Sequence, residues 1–303
     1  MIAILQASAF AIPLPDSSVQ MVVTSPPYYR LRNYADNPED AFGQEATVSE
    51  YVRHTVEVLR EIRRVLKKDG VVFWNIADSY CGKNLCLVPQ RVAIAAKEDG
   101  WIVRDQIIWH KPAPMPEAAK DRCTRGYELI LMLTKSPHYF WDAEAVAEKT
   151  DDLKTKPRRF RKGNPSLTLR HDDGNWYRPR GTRNPRNIWK IPPTPFRGAH
   201  FATFPKGLPH KCILAASRPG DTVLDPFGGS GTTGVVAQEL GRNAVLLDIS
   251  SEYVNLMRKR MIDEACLREG SVEWALPVCN GDYQAMAAQE RGCEAALPNS
   301  AVF

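Results

Sequence analysis

The sequence predicts an α/β protein with a parallel or mixed sheet, because short apolar strands alternate with helices along most of its 303 residues. A glycine-rich turn joins a strand to a helix at residues 225–232, and a basic, proline-rich segment interrupts the alternation at residues 151–198. No run of about 20 apolar residues occurs, so no membrane-spanning helix is predicted.

The most regular segment of the first half is a helix predicted over residues 47–69. Its apolar residues recur at helical spacing, Thr47 or Ser49 can cap it, and Gly70 ends it. The other elements of this half follow from shorter apolar runs bounded by turn residues. They are strands at Ile2–Leu5, Val19–Val23, 71–77, 101–110 and 128–136, and a helix at 88–100.

The alternation resumes after about residue 207, with a helix through Cys212–Ser217. The elements predicted beyond it are a strand at 222–225, a helix at 232–240, a strand at 244–248 and a helix at 251–264. The tail from residue 266 is rich in alanine and is assigned no role.

Positive charge is concentrated in one part of the chain. The formal net charge is +5, whereas residues 153–198 hold 13 Lys and Arg against Asp172 and Asp173, so that this stretch carries +11. A local field of this size favours a polyanionic partner, and aromatic residues are interleaved with the basic ones. The segment has little apolar periodicity and is predicted to be an insertion or a long functional loop rather than a core layer.

The glycine-rich turn has the spacing of a dinucleotide fingerprint. Gly229, Gly231 and Gly234 form G-x-G-x-x-G after a strand and before a helix, and Asp248 ends the next strand. This context predicts a ligand that contains adenosine. Asp225 precedes the turn, where it would repel a pyrophosphate but suit an ammonium group; alternatively, its carboxylate simply caps the turn.

The stretch VVTSPPYYRLRNY, residues 22–34, places two prolines directly after an apolar strand. The prolines stiffen the backbone, so Ser25 Oγ and the Pro26 carbonyl could hold the two hydrogens of an amine, while Tyr28 offers a ring on which a flipped base could stack. The alternative is a Pro-Pro turn with incidental tyrosines.

Together these motifs resemble those of the amino-methylating DNA methyltransferases, which modify N4 of cytosine or N6 of adenine, in the permuted order with the catalytic motif first. TSPPY (24–28) looks like their catalytic motif, LDPFGGSGTT (224–233) like their cofactor motif, and HFATFP (200–205) like the motif that encloses the methionine part of the cofactor. The resemblance covers about residues 1–265.

The resemblance implies a Rossmann-like, S-adenosylmethionine-dependent methyltransferase fold with helices on both faces of a mixed sheet. It implies a catalytic half at 1–150, a basic target-recognition insertion at 151–198, a cofactor-binding half at 199–265 and a tail at 266–303. It implies no metal. Two positions depart from the family pattern: Gln6-Ala7-Ser8 stands where Gly-Asp is frequent, and Asp248 where Glu is frequent.

The resemblance also assigns site residues. The catalytic residues are Ser25, Pro26, Pro27 and Tyr28. The cofactor-binding residues are Thr24, Phe204, Pro205, Asp225, Phe227, Gly229, Ser230, Gly231, Thr232 and Asp248. The DNA-binding residues are Arg158, Arg159, Arg161, Lys162, Arg180, Arg183 and Arg186. His110, Lys111 and His200 are interpreted as structural or at most as DNA or cofactor contacts, and Asp78 as a residue that could face the cleft.

The expected activity is transfer of a methyl group to N4 of cytosine in double-stranded DNA, because a leading serine in the catalytic motif is associated mainly with that base in the family. N6-adenine methylation is the alternative; RNA amino-methylation, an NAD-dependent dehydrogenase and a non-enzymatic DNA-binding protein are more remote ones. A restriction endonuclease is a further expected partner. Seven cysteines without a Cys-x-x-Cys pair suggest reduced thiols in a cytoplasm.

Overall fold

The computed structural model describes residues 1–31, 42–150, 158–159, 176–177, 181–193 and 205–266. These residues hold five helices and fourteen strands. In chain order they are β1 (Ile2–Gln6), β2 (Val19–Thr24), α1 (Val48–Val65), β3 (Leu66–Ile76), β4 (Tyr80–Cys81), β5 (Asn84–Leu85), α2 (Val88–Glu98), β6 (Ile102–His110), β7 (Tyr127–Thr134), β8 (Glu148–Lys149), β9 (Arg158–Arg159), β10 (Trp176–Tyr177), β11 (Thr182–Arg183), β12 (Ile188–Lys190), α3 (Gly207–Ala216), β13 (Thr222–Asp225), α4 (Thr232–Glu239), β14 (Asn243–Asp248) and α5 (Ser251–Cys266).

Eight of the strands form one mixed sheet in the order β1-β14-β13-β2-β3-β7-β6-β12. Strand β7 runs antiparallel to its neighbours β3 and β6, and the other pairs are parallel. The six short strands form three separate two-stranded pairs: β4 with β5, β8 with β11, and β9 with β10. The mixed sheet confirms the predicted fold class.

Helices cover both faces of this sheet. Successive residues of a strand point to opposite faces, so a strand between two helix layers contributes to two cores. Val22 of β2 belongs to a core with residues of α1 and α2, whereas the next residue, Val23, belongs to a second core with residues of α3, α4 and α5. Both valines are fully buried. The prediction of helices on both faces is therefore confirmed.

The start of helix α1 was predicted correctly, and its end was not. Thr47 caps it: Thr47 Oγ1 accepts from the Glu50 N–H at 3.2 Å, and Glu50 Oε2 accepts from the Thr47 N–H at 3.0 Å. The helix ends at Val65 rather than at residue 69, because Leu66 already pairs with Val19 in the sheet.

Gly70 consequently lies inside β3 and does not end the helix. A Cβ at this position would lie 2.7 Å from the Gln20 carbonyl oxygen and 2.6 Å from Leu66 Cδ1. The close approach of the neighbouring strand, rather than a helix terminus, therefore explains the glycine.

The end of the basic segment also differs from the prediction. Strand β12 pairs in parallel with β6 as an edge strand of the main sheet. Trp189 on this strand is 3% exposed, and Trp109 Nε1 of β6 donates to the Ile191 carbonyl at 2.9 Å. This part of the segment therefore belongs to the core, because burying the large Trp189 ring against the sheet is favourable.

Within the described ranges, none of the helices is both long enough and apolar enough to cross a bilayer.

We expect Thr47→Ala to lower the free energy of unfolding by about 1 kcal/mol, because it removes the cap of α1. Ser49→Ala is the matched control, since Ser49 is exposed in the first turn of the same helix and should change stability by less than about 0.5 kcal/mol. Urea unfolding of both variants measures the difference. Equal losses in the two variants would contradict the assignment of the cap.

Candidate active site

The SPPY tip (residues 25–28) and the glycine-rich turn (residues 225–232) lie at one edge of the sheet, although they are far apart in the chain. Strands β2 and β13 are parallel neighbours, so their carboxyl ends lie side by side. Thr24 Oγ1 at the end of β2 donates to Asp225 Oδ1 at the end of β13 over 2.6 Å, across 201 residues of sequence. The SPPY tip and the glycine-rich turn therefore start from adjacent points.

The Asp225 carboxylate ties the turn together, as the capping interpretation predicted. Its Oδ1 also accepts from the Phe227 N–H at 3.1 Å, and its Oδ2 accepts from Thr233 Oγ1 at 2.6 Å. Burial raises the pKa of this carboxyl to about 6, and the hydrogen bonds from Thr233 and Thr24 oppose that rise. The hydroxyl of Thr24 is likewise committed to the turn and is fully buried.

Asp248 holds the turn from the neighbouring strand end. Its Oδ2 accepts from the Gly229 N–H and its Oδ1 from the Ser250 N–H, both at 3.0 Å. Gly229 has φ +50°, a conformation that favours glycine. Asp248 is half-buried, and burial raises its pKa. Gln6 of β1, one of the departures from the family pattern, donates to the Ile249 carbonyl at 3.1 Å.

Ser230 and Thr232 are buried and bind an arginine of α5. Arg260 Nη1 donates to the Ser230 carbonyl and to Ser230 Oγ at 3.0 Å, and to Thr232 Oγ1 at 2.9 Å. Both hydroxyls accept from Arg260 and can still donate to a ligand, so the assignment of these two residues as cofactor ligands stays a prediction. Gly231, between them, has φ +76°, a conformation that favours glycine.

Aromatic packing fixes Phe227 beside the turn. Its ring centroid lies 5.3 Å from that of Phe42 and 6.0 Å from that of Trp74, in an edge-on arrangement with the tryptophan. Phe227 stays half-buried. Pro205 is buried at the start of α3, where its carbonyl accepts from the Leu208 N–H at 3.0 Å, and Phe204 lies outside the described residues.

The prolines of the SPPY tip are fixed by the core beneath them. Pro26 is buried, and the Pro27 carbonyl accepts from Tyr51 Oη of α1 at 3.1 Å. Ser25 is only partly buried, and its Oγ lies 2.9 Å from Tyr28 Oη. The tip thus presents Ser25 from a rigid support.

Sequence reasoning missed two residues that bind this tip, Asn75 of β3 and Glu128 of β7. Tyr28 Oη donates to Glu128 Oε2 at 2.7 Å. Asn75 Nδ2 donates to Tyr28 Oη at 2.6 Å, to Glu128 Oε2 at 2.8 Å and to Ser25 Oγ at 3.3 Å. The signal was present for Asn75, because it is a polar residue inside the apolar run VVFWNIA and is 1% exposed.

Lys111, interpreted from sequence as structural, completes this group. Its ammonium forms an ion pair with Glu128 Oε1 and lies 4.5 Å from the centroid of the Trp109 ring. Burial raises the pKa of the Tyr28 hydroxyl well above its usual range, and the charge of Glu128 adds to that effect. The tyrosine is therefore a neutral phenol at neutral pH.

The other residues considered near the cleft have structural partners or are not described. Asp78 Oδ1 accepts from the Ser79 N–H at 2.8 Å and the Val88 N–H at 3.0 Å, so it caps the start of α2. His110 is exposed at the end of β6, and His200 lies outside the described residues.

The basic residues predicted to bind DNA are only partly described. Arg158 and Arg159 form β9, which pairs with β10. Arg183 forms an ion pair with Glu148, in which Arg183 Nη2 lies 3.1 Å from Glu148 Oε2. The Arg186 N–H donates to Glu148 Oε1 at 3.3 Å. Arg161, Lys162 and Arg180 lie outside the described residues.

Solved structures share this architecture. The PvuII DNA methyltransferase, titled cytosine-N4-specific, matches with a TM-score of 0.63 and 19% identity over 87% of this chain and 90% of that chain. A DNA modification methylase from Thermus thermophilus, complexed with S-adenosyl-L-methionine, matches with a TM-score of 0.59 and 24% identity over 87% and 94%.

Curated relatives and a family profile agree with these structures. The Type II methyltransferase M.Cfr9I of Citrobacter freundii is 38% identical over 83% of this chain and 84% of its own length. M.SmaI of Serratia marcescens is 37% identical over 80% and 83%. The profile of the N6/N4 methyltransferases, described as DNA methylase, matches residues 19–259. The chain therefore belongs to the N6/N4 family of DNA methylases.

Proposed function

We propose that this DNA methylase transfers the methyl group of S-adenosyl-L-methionine to N4 of a cytosine flipped out of double-stranded DNA. The observation that carries the proposal is the hydrogen bond between Thr24 and Asp225, at 2.6 Å, because it joins the SPPY tip to the glycine-rich turn. A methyl donor bound at the turn and an amine bound at Ser25 would then share one cleft.

The turn fits an adenosine cofactor without phosphates. The carboxylates of Asp225 and Asp248 both bind the turn, and such a pair disfavours a pyrophosphate. The carboxylate of Asp248 accepts from the backbone of Gly229, Ile249 and Ser250, and its two oxygens have acceptor capacity left for ribose hydroxyls. The half-buried Phe227 ring and the backbone of Gly229 and Gly231 would line the adenosine. S-adenosylmethionine supplies an electrophilic methyl group on a sulfonium.

The SPPY tip would hold the amine that attacks this methyl group. Ser25 Oγ and the Pro26 carbonyl would each accept one hydrogen of the amine, which directs the nitrogen lone pair towards the methyl carbon. The amine is itself the nucleophile, so the reaction needs no covalent intermediate with the protein. The serine, rather than an acid, at position 25 supports cytosine as the target base.

The base is tested by digesting DNA treated with the purified protein and cofactor to nucleosides. Mass spectrometry separates N4-methyldeoxycytidine, the expected product, from N6-methyldeoxyadenosine. The second product alone would overturn the choice of cytosine and leave the amino-methylating reaction in place.

We also propose a restriction endonuclease of the same site specificity as partner, because the curated relatives are named Type II methyltransferases.

Ser25→Ala should slow methyl transfer in a single turnover about 100-fold, because it removes one acceptor that holds the amine in the transition state. Cofactor affinity should change by less than about 3-fold. Ser18→Ala at the other end of β2 is the control, since Ser18 Oγ only donates to the Pro15 carbonyl. Equal losses of rate and of cofactor affinity in Ser25→Ala would count against the role of Ser25.

Asp248→Ala should weaken cofactor binding about 10-fold or more, because it removes both a ribose acceptor and the support of the Gly229 N–H. Isothermal titration with S-adenosylhomocysteine measures this loss. Asp263→Ala, an equal change of charge at an exposed position of α5, should bind normally. Unchanged affinity in Asp248→Ala would refute its placement beside the cofactor.

Arg158→Ala with Arg159→Ala should reduce the slope of log K against log salt for DNA binding by about 2, because each lost phosphate contact removes about 0.9 from the slope. The control pair is Lys68→Ala with Lys97→Ala, two exposed lysines on β3 and α2. Filter binding at several salt concentrations gives both slopes. If the two pairs behave alike, the basic segment is not the phosphate contact.

A further inference from the structure

A chain of hydrogen bonds connects Ser25 to a carboxylate that lies behind it. Ser25 Oγ is 2.9 Å from Tyr28 Oη, and Tyr28 Oη is 2.7 Å from Glu128 Oε2. The far oxygen, Oε1, forms the ion pair with Lys111. The side chains come from the loop after β2, from β7 and from the residue after β6, so three separate parts of the fold build the chain.

The carboxylate fixes the direction of these bonds. An ionised carboxylate only accepts, so the hydroxyl of Tyr28 donates to Glu128 and its oxygen is left to accept. The amide of Asn75 reinforces this direction, because its Nδ2 donates to Tyr28 Oη and to Glu128 Oε2. Ser25 can then donate its own proton to Tyr28, and its Oγ, which also accepts from Asn75 Nδ2 at 3.3 Å, keeps one lone pair to accept from the target amine.

We propose that Glu128 is a positioning residue that makes Ser25 an acceptor towards the target amine and that receives, through Tyr28, the proton released by methylation. The inference rests on the proposed role of Ser25. It adds a group that the catalytic motif does not contain and that the sequence places 100 residues from Tyr28.

The proton balance of the step is complete. As the amine nitrogen bonds to the methyl carbon, the carbon–sulfur bond breaks and its electron pair stays on sulfur, so the cofactor becomes a neutral thioether. The nitrogen, now positively charged, gives a proton to Ser25 Oγ, Ser25 gives its proton to Tyr28 Oη, and Tyr28 gives its proton to Glu128. The products are a neutral methylated amine and a protonated carboxyl.

The charges around Glu128 suit this role. The titratable groups that face it are Tyr28 from the loop and Lys111 from the end of β6, and Asn75 of β3 is uncharged. The ammonium of Lys111 lies against the far oxygen of this carboxylate, so the pair of charges is balanced within the site. Tyr51 of α1 touches the same loop through the Pro27 carbonyl rather than through Glu128. Glu128 itself is largely shielded, with 12% of its side chain exposed.

The test measures single-turnover methyl transfer at neutral pH with Glu128→Gln, Glu128→Asp and Tyr28→Phe. Glutamine keeps the size of Glu128 but cannot take up a proton, and phenylalanine keeps the ring of Tyr28. Glu128→Gln and Tyr28→Phe should both be about 100-fold slower than the unchanged protein, whereas Glu128→Asp, which keeps a carboxylate, should recover about 10-fold of that loss.

Tyr29→Phe is the matched control, because Tyr29 is the adjacent tyrosine and its hydroxyl lies 3.5 Å from the Ala46 carbonyl, outside the chain of bonds. Its rate should equal that of the unchanged protein. Cofactor and DNA affinities of the three test variants should stay within about 3-fold of the original. If thermal unfolding shows that Glu128→Gln is not folded, the result for Tyr28→Phe alone decides the test.

A Glu128→Gln variant of normal rate, or a Glu128→Asp variant no faster than Glu128→Gln, would overturn the proposal and leave Glu128 a packing role. A Tyr28→Phe variant of normal rate would overturn it too. None of these outcomes depends on which base is methylated, so they test Glu128 and Tyr28 separately from the choice of cytosine. Absence of methyl transfer by the unchanged protein would instead contradict the proposed function, and with it the proton uptake assigned to Glu128.

Discussion

The pairing of β2 with β13 is the constraint on which the site depends. These strands are far apart in the chain, yet Val22 pairs with Leu224 in the middle of the sheet. Each strand is buried on both faces, so the pair can neither slide nor separate without exposing the two cores. Because the carboxyl ends of parallel strands meet at one edge, the Thr24–Asp225 bond follows from the sheet and needs no further device.

A second layer of support comes from polar groups that have left water. The carboxylate of Asp225 is buried at a cost that shows in its raised pKa, and three donors around the turn offset part of that cost. Arg260 offsets the cost of burying polar groups on the opposite side of the turn, because it donates hydrogen bonds to the buried hydroxyls of Ser230 and Thr232. A turn held from both sides in this way is preformed before any ligand arrives.

The sequence predicted what lies in contiguous stretches and missed what depends on contacts between strands. The fold class and the cap at Thr47 follow from local patterns. The end of α1 was wrong because pairing of Leu66 with Val19 outweighs helix propensity there. The pairing of Tyr28 with Glu128 could not be predicted, because it requires that β7 lie antiparallel beside β3, which no local pattern shows. The bonds of Ser230 and Thr232 to Arg260 could not be predicted either, because Arg260 is 28 to 30 residues away.

The flanks of the basic segment meet in space. The Thr150 N–H donates to the Gly181 carbonyl at 2.9 Å, directly beside the pairing of β8 with β11, and β12 then returns the chain to the main sheet. The chain therefore leaves and re-enters the catalytic body at one point. Because the two ends of the intervening stretch are tied together, its length can change between proteins of this architecture without moving the strands of the main sheet.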